Sequence, residues 1–453
     1  MVDVSNQNLR DGASPFILKE VVYRTPRSNA SILITSNVTD FQIFEHIDRP
    51  FLTGNISFTD TQGLISSIKF YGDEFIDITF SKPGSEFDIK KTFSLDRIIN
   101  TTKPNQETEV FFFHMIQKTE YDANAKNVNK YYNGTPFDII NNILRDFTSL
   151  SLIDTKENDT SDPLKVIVPN LSPLEAAVWI KDRATTNQGM PFVLYQPLKN
   201  DKLIFADLGT LITQNVVNPD YPFVDWEAST QVDGIANDIQ ILDTDVSNTE
   251  NLYDYIGMGT VGANYSYFDT TLGTFKDVKL DIEKVFQDLK NVGILNNNSL
   301  DYIFPVGTTV DDKKLSELNS RNIYSYPSVG SYKQGYSNAA SYSEEVDPEN
   351  YQRRVAGIAI KNLMLKSGMS VTVRGQELLN FEEDFTVGRL VRFLFSSTHH
   401  GEGSVEDVLD LRKSGDYLIL AANHNFIKNP DTYSITFYCS KLQNVDSTIQ
   451  RYA

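Results

Sequence analysis

The order of hydrophobic and polar positions divides the chain into stretches of different character. Between residues 15 and 120 the apolar runs are short and separated by turn-formers: Phe16 to Tyr23, Ala30 to Thr35, Phe41 to His46 and Leu52 to Phe58. In Phe75 to Phe80 the side chains alternate, with Ile76, Ile78 and Phe80 on one face and Phe75, Asp77 and Thr79 on the other. A period of two describes a strand with one buried face. Val110 to Ile116 is apolar on both faces, which predicts a strand covered on each side. Pro83-Gly84 and Lys103-Pro104-Asn105 supply turns. Six or more closely spaced strands without a long helix predict a small barrel or sandwich.

The next hundred residues change period. Thr135-Pro136-Phe137-Asp138 sets a hydroxyl cap before a proline that already has helical φ and no N–H to lose. Phe137, Ile140, Ile143, Leu144 and Phe147 follow at helical spacing. Ser172-Pro173-Leu174-Glu175 repeats the device as a capping box. Phe192 to Tyr195 and Leu203 to Phe205 predict a hairpin across Pro197 to Asp201. Beyond it, Ile235 to Leu242 reads as a strand, and Ile282, Val285, Phe286 and Leu289 mark an amphipathic helix. Tyr324 to Tyr342 is rich in Tyr, Ser, Gly and Asn, which suits a surface loop or a contact face.

After Tyr351 a short helix-like stretch gives way to strands. Val371 and Val373 alternate with Thr372 and Arg374, and Val391, Phe393 and Phe395 with Arg392 and Leu394. Leu418 to Phe426 and Tyr433 to Tyr438 follow, with Ser414-Gly415-Asp416 and Asn429-Pro430-Asp431 read as turns. In the last strand Tyr433, Ile435, Phe437 and Cys439 share a face, which predicts a core cysteine. A β unit thus stands at each end, of similar size but with no residue-by-residue repeat between them.

Composition narrows the function classes. The 453 residues carry 41 Lys+Arg against 60 Asp+Glu, a formal net charge of −19. That balance argues against gripping nucleic acid or anionic lipid through bulk charge. The acid is unevenly spread: residues 1–120 carry −4, 121–221 carry −3, 222–350 carry −13 and 351–453 carry +1. The asymmetry predicts an inserted module in the middle. A single cysteine excludes an internal disulfide framework, the polar start lacks a signal-peptide core, and no apolar run is long enough to span a bilayer. These features predict a soluble, multidomain product of a reducing compartment.

Catalytic signatures fail on mechanism. Gly257-Met258-Gly259-Thr260-Val261-Gly262 matches GxGxxG, with Asp281 about twenty residues on. The motif must open a helix, yet the aromatic, turn-rich stretch after Gly262 is not helical. His399-His400 lies beside Glu402, but neighbours on an extended chain face opposite ways, poor geometry for joint ligation. His46 and His114 sit in strand-like runs and read as packed or edge residues. Glu382-Glu383-Asp384 reads as a solvated acidic turn, since chance supplies such groups at this acid content. No catalytic, cofactor-binding or metal-binding residue is nominated, and the expectation is a protein that is not an enzyme.

One resemblance remains. Pro50-Phe51-Leu52-Thr53-Gly54-Asn55-Ile56, then Asp60-Thr61-Gln62-Gly63-Leu64-Ile65 and Gly72-Asp73-Glu74, resemble the first barrel of the baseplate central hub proteins of T-even-like contractile-tailed bacteriophages. Val168-Pro169-Asn170-Leu171-Ser172-Pro173-Leu174-Glu175-Ala176 with Trp179-Ile180 resembles the helical unit that follows. Ser414-Gly415-Asp416-Tyr417-Leu418-Ile419 with His424, and Tyr433 to Phe437, resemble the closing strands of the second barrel. The resemblance covers most of residues 15–220 and 351–445.

It implies a mainly β fold with α+β parts: two tube-type antiparallel β-barrels, a small α+β domain and an inserted acidic mixed domain. The expected division is an N-terminal arm (1–14), the first barrel (15–121), the α+β domain (122–221), the start of the second barrel with the acidic, Tyr-rich insertion (222–350), and the second barrel (351–453). The implied product is a homotrimeric ring of pseudo-sixfold symmetry between a trimeric central spike protein and the hexameric tail tube. Its implied partners are that spike, the tail tube or tube-initiator protein, the tape measure protein and the baseplate wedge proteins. DNA is met only in transit through the channel, with no direct membrane insertion. The implied place is the virion's tail baseplate, assembled in the bacterial host cytoplasm. Two other expectations stand beside it. One is a cell-wall glycan-cleaving tail enzyme, which needs a paired-carboxylate cleft. The other is the hub portion of a secretion-system spike, which continues into its own β-helix. Here the chain stops eight residues after Val445, which favours a separate spike.

Overall fold

The computed structural model describes residues 16–444, leaving out 28–29, 62, 64–69, 86, 154–163, 220–221, 226–239, 247–251, 270–273, 296–308, 315–316, 319–320, 326–347, 367, 376–385, 397–408 and 411. The first β unit contains β1 (Ile17–Thr25), β2 (Ala30–Leu33), β3 (Val38–His46), β4 (Thr53–Asp60), β5 (Phe75–Ser81), β6 (Ile89–Thr102) and β7 (Glu109–Gln117). The alternation read in β5 is realised, with Ile76, Ile78 and Phe80 fully buried. In β7 it corrects an expectation: Phe111, Phe113 and Met115 are buried, while Val110, Phe112, His114 and Ile116 are half-exposed. The strand is covered on one side only within this chain.

A small α+β unit follows, built from α1 (Lys118–Asn124), β8 (Tyr131–Gly134), α2 (Pro136–Phe147), β9 (Leu164–Ile167), α3 (Pro173–Lys181), β10 (Phe192–Tyr195), β11 (Ile204–Asp207) and α4 (Leu208–Thr213). Both anticipated caps form. Thr135 accepts the Asp138 N–H at 3.2 Å. Ser172 accepts the Glu175 N–H at 3.4 Å, and Glu175 accepts the Ser172 N–H at 3.0 Å. Helices α2 and α3 close a separate apolar core that includes Ile139, Ile143, Ile180 and the stacked rings of Phe192 and Phe205, 4.6 Å apart. Strands β10 and β11 pair antiparallel, as the hairpin reading requires.

The middle of the chain supplies β12 (Phe223–Val224), β13 (Ile241–Asp245), α5 (Leu252–Met258), β14 (Gly262–Asp269), β15 (Thr274–Asp281), α6 (Ile282–Asn291), β16 (Thr309–Val310), β17 (Lys313–Lys314) and β18 (Arg321–Ser325). Of the strand expected at Ile235 to Leu242, residues 235–239 lie outside the described residues, and β13 begins at Ile241. Helix α6 forms where the apolar spacing placed it, burying Ile282, Phe286 and Leu289.

The last part holds α7 (Pro348–Met364), β19 (Met369–Arg374), β20 (Leu390–Leu394), β21 (Gly415–Ile427) and β22 (Thr432–Asn444). Helix α7 has 17 residues, longer than the short stretch expected after Tyr351. Gly415 and Asp416 open β21 instead of forming a turn. The reason is a bidentate pair: buried Asp416 receives Arg392 of β20 at 2.6 and 3.0 Å, which holds the segment in the ladder.

The two β units are joined. One sheet runs β13-β19-β22-β21-β3-β4-β7-β6-β5-β1-β2, with β20 on β21 and β12 on β20. The junction is β3 against β21, antiparallel from His46↔Ala421 to Asp40↔Ile427. Aromatic rings cross it below the sheet: Phe41 of β3 stacks on Phe426 of β21 at 4.4 Å, and Phe426 on Tyr433 of β22 at 4.3 Å. Mainly β with α+β parts is therefore the observed class, with both β units expressed as parts of one continuous sheet.

Candidate functional site: a buried polar seam beneath an uncharged sheet face

Alternation along β3 turns Phe41, Ile43 and Glu45 inward, so a carboxylate enters the core at the seam. Its surroundings come from three parts of the chain. The Leu198 N–H at the tip of the β10–β11 hairpin donates to Glu45 Oε1. His424 of β21 brings Nε2 to 3.4 Å from the same oxygen. Tyr433 of β22 meets the other imidazole nitrogen at 2.8 Å. Glu45, His424 and Tyr433 are each at most 1% exposed. Burial by itself would raise the Glu45 carboxyl, but His424 and the hydrogen bonds from His424, Thr386 and Leu198 hold it below the usual carboxylate range. Burial, then the Glu45 charge, pushes the Tyr433 phenol far up. The chain Tyr433–His424–Glu45 superficially matches a catalytic relay, yet it is sealed beneath the sheet. It ties the seam and the hairpin together.

A charged junction lies one turn further along. Asp48, just past β3, meets Lys181 at the end of α3 at 2.5 Å and Lys361 of α7 at 2.6 Å. Asp182 adds a second carboxylate, 2.7 Å from Lys181. Lys181 is 1% exposed, so its charge survives only because two carboxylates surround it. Burial opposes ionisation of Lys181, but Asp48 and Asp182 raise its pKa above the usual lysine value. Burial works against the Asp48 carboxylate too, and Lys181 followed by Lys361 depress it. The hairpin tip is held again where Lys91 of β6, almost fully buried, reaches Asp201 at 2.6 Å.

Above this polar layer the sheet presents a different surface. Residues paired across strands point to the same side. One rung reads Ser434, Asn425, Gln42 and Asn55 across β22, β21, β3 and β4. The next reads Thr436, Asn423, Phe44 and Thr53. Gln42 donates to Asn425 at 3.4 Å across the seam, and Thr372 of β19 meets Thr436 at 2.9 Å. These two rungs carry amides, hydroxyls and one phenyl ring, and no charge. Charge returns in the neighbouring rung, in Asp40 opposite Ile427 and Ser57, and at the flanks, in Asp243 of β13, in Arg374 of β19 and in Asp96, 2.5 Å from His114 Nδ1. Such a band offers hydrogen bonds without the Lys and Arg that hold phosphates by counterion release.

The residues singled out from sequence scatter. Gly257 lies in α5, Gly259 follows it with φ +74°, and Gly262 opens β14. Helix then strand is the reverse of a dinucleotide motif, and Asp281 caps α6 by accepting the Lys284 N–H at 3.2 Å. His46 ends β3 with part of its surface open to solvent; the shielding of its ring by its neighbours, followed by the Arg49 charge, lowers its pKa. Cys439 is fully buried, and burial pushes its thiol up, as expected of a core residue. His399, His400, Glu402, Glu382, Glu383, Asp384 and the stretch from 326 to Tyr342 lie outside the described residues. Among the described residues no group of three or more His, Cys, Asp or Glu is placed to hold a metal ion, and no helix is long and apolar enough to cross a membrane. Glu45, Asp48, Lys181 and Lys361 were missed. The available signal was phase: a charge at the inward position of an alternating strand, as in Phe41-x-Ile43-x-Glu45.

The motifs behind the resemblance acquire physical roles. Glu74 is fully buried, accepting the Gly72 N–H at 2.8 Å, the Tyr71 N–H at 3.1 Å and Arg27 at 2.5 Å. Gly54 lies where a Cβ would overlap the Gln42 carbonyl and the Met115 side chain, so β3, β4 and β7 close up only around glycine. Ser414 closes the β20 end by accepting the Phe395 N–H at 2.8 Å.

No protein-family model matches the sequence, and no curated protein matches it. Solved structures do. A tail protein from Neisseria meningitidis superposes with a TM-score of 0.50 at 10% identity, covering 94% of this chain and 97% of that one. The 43 kDa tail protein of prophage MuSo2 from Shewanella oneidensis superposes with a TM-score of 0.51 at 11% identity, covering 93% of this chain and 98% of that one. Over nearly its whole length, then, this chain has the fold of phage tail proteins.

Proposed function

We propose that the chain is a structural subunit of a phage-type tail: a baseplate hub that assembles as a homotrimeric ring, joins a central spike protein to the tail tube and leaves a channel for DNA. The observation that carries this reading is the continuous sheet, which crosses both β units and carries two uncharged outward rungs over the seam, from β22 to β4. A surface lining a conduit for DNA must be wetted but must not bind phosphate. Amide and hydroxyl rungs meet both conditions. The sealed Glu45–His424–Tyr433 cluster and the Asp48 junction suit a wall part, since they devote ionisable groups to rigidity. The fold shared with two tail proteins supports the same reading. On it the subunit has no catalytic step and resides in the virion's baseplate after assembly in the host cytoplasm. The tape measure, tube or tube-initiator and wedge proteins are its neighbours there.

Light scattering on the purified chain, alone and with its spike, tests the proposal. Three copies per particle are expected; a monomer under both conditions overturns it. A cell-wall zymogram probes the enzymatic alternative, and the structural reading expects no clearing. Clearing that a single acidic substitution abolishes would replace the hub with a glycan-cleaving enzyme.

A further inference from the structure

The strand order of the sheet repeats. From the seam outward the first unit runs β3-β4-β7-β6-β5, and the second unit, read from its free edge, runs β13-β19-β22-β21-β20. The irregularities repeat with it. β3 shifts register against β4 between Val38 and Asp40, and β13 against β19 between Ile241 and Asp243. β21 shifts against β22 between Ile419 and Ala421, and β6 against β7 between Leu95 and Arg97. Bulges are specific local features, so their coincidence marks two copies of one structural unit.

The copies differ in one respect. In β21 the first part, Gly415 to Leu418, pairs with β20, and the second part, Ala421 to Ile427, pairs with β3. In β6 the first part, Ile89 to Ser94, pairs with β5, whereas Arg97 to Thr102 has no second partner strand among the described residues and is exposed throughout. Among the described residues β13, the counterpart of β3, pairs with β19 alone along Ile241–Asp245. Among the described residues, each chain therefore uses the joint once, between β21 and β3, and leaves both halves of a second joint open.

We infer that Arg97 to Thr102 of β6 pairs with β13 of a second copy of this chain, repeating the β21–β3 seam between subunits. This rests on the ring reading above and adds the surface by which the ring closes. Strand direction permits it: β13, β19, β22, β21, β3, β4, β7 and β6 alternate strictly, so β6 meets the next β13 antiparallel. Charge favours it: Arg97 to Lys103 contains two bases and no acid, and Ile241–Asp245 contains Asp243, Asp245 and no base. Ile98 and Ile99, 37% and 54% exposed, lose that exposure against a neighbour, and two open edges that invite unspecific pairing are removed. A head-to-tail joint of this kind is heterologous and closes into a ring when the rotation divides the circle. Register follows from the shared shifts and a second shift in β6 between Ile98 and Asn100. Thr102 takes the place of Asn425 and Asp245 that of Gln42, so the two face each other across the joint.

Disulfide trapping tests this. Chains carrying T102C are mixed with chains carrying D245C and oxidised; Cys439 is sealed in the core and does not compete. The expected product is a covalent dimer on a non-reducing gel, and no dimer when D245C is replaced by S31C on β2 at the opposite end of the sheet. No dimer from the T102C and D245C mixture when the wild type does assemble, or equal trapping by S31C, overturns the joint and leaves the ring reading intact. A monomeric wild type overturns both. A charge exchange supplies the second arm: K103E weakens association about two- to fivefold, and K103E with D245K recovers it. Unchanged association of K103E counts against the joint.

Discussion

Replacing Glu45 with glutamine keeps the shape of the side chain and removes its charge, so the Leu198 N–H and His424 lose the carboxylate they share in a sealed site. Weakening a buried hydrogen-bonded group in this way costs about 1–3 kcal/mol, and urea unfolding of E45Q reads that loss. The pH dependence has a definite sign. Glu45 and Asp48 are both held below the usual carboxylate range. Their contribution to stability is therefore complete above the unfolded carboxyl value of about 4.3 and is lost as pH falls through the depressed folded values. The acid limb of stability against pH should be shallower in E45Q than in the wild type; parallel limbs would contradict the assignment. Between the two lysines on Asp48, Lys181 is 1% exposed and Lys361 a quarter exposed. K181M should accordingly destabilise more than K361M, by thermal or urea unfolding, because solvent screens the second cation and not the first.

At the scale of elements, local chemistry was readable and pairing was not. The caps at Thr135 and Ser172, the β10–β11 hairpin and α6 follow from spacing and hydrogen-bonding chemistry confined to a few residues. S172A should cost about 1 kcal/mol in unfolding free energy, as removal of an N-cap hydroxyl does. The turn read at Ser414-Gly415-Asp416 failed because Arg392, far away in sequence, binds Asp416 and draws the segment into β21. The covered strand read at Val110 to Ile116 failed in the other direction: its apolar outer face is left half-exposed by this chain. Gly54 belongs to the same lesson. Its sequence neighbours give no reason for glycine, and the reason is the close approach of Gln42 and Met115 from adjacent strands. G54A should destabilise by about 1–3 kcal/mol or more through forced separation of those strands; a neutral G54A would contradict the packing described.

At the scale of the whole molecule, the sequence separated the β ends, the α+β unit and an acidic middle. It could not show that the β ends share one sheet. Backbone ladders leave no signature in side-chain type, and the two arrays repeat strand order and bulges without repeating residues. The candidate site was legible in part: His424 and the Gly72-Asp73-Glu74 and Ser414-Gly415-Asp416 motifs stood out, while Glu45 and Asp48 did not. The net charge of −19 also takes on a position. The segment 222–350 carries −13, and the seam between the two arrays carries two outer rungs without charge. Two of the segment's carboxylates, Asp243 and Asp245, stand in β13 of the sheet, outside the two rungs at the seam. The measurement that tests this most directly is a cryo-EM reconstruction of the purified chain. A closed threefold ring is expected, its inner wall an unbroken sheet, with Gln42, Asn55 and Asn425 facing the lumen and β6 of each subunit against β13 of the next. A monomer, or a ring in which the Gln42 face points outward, would contradict it.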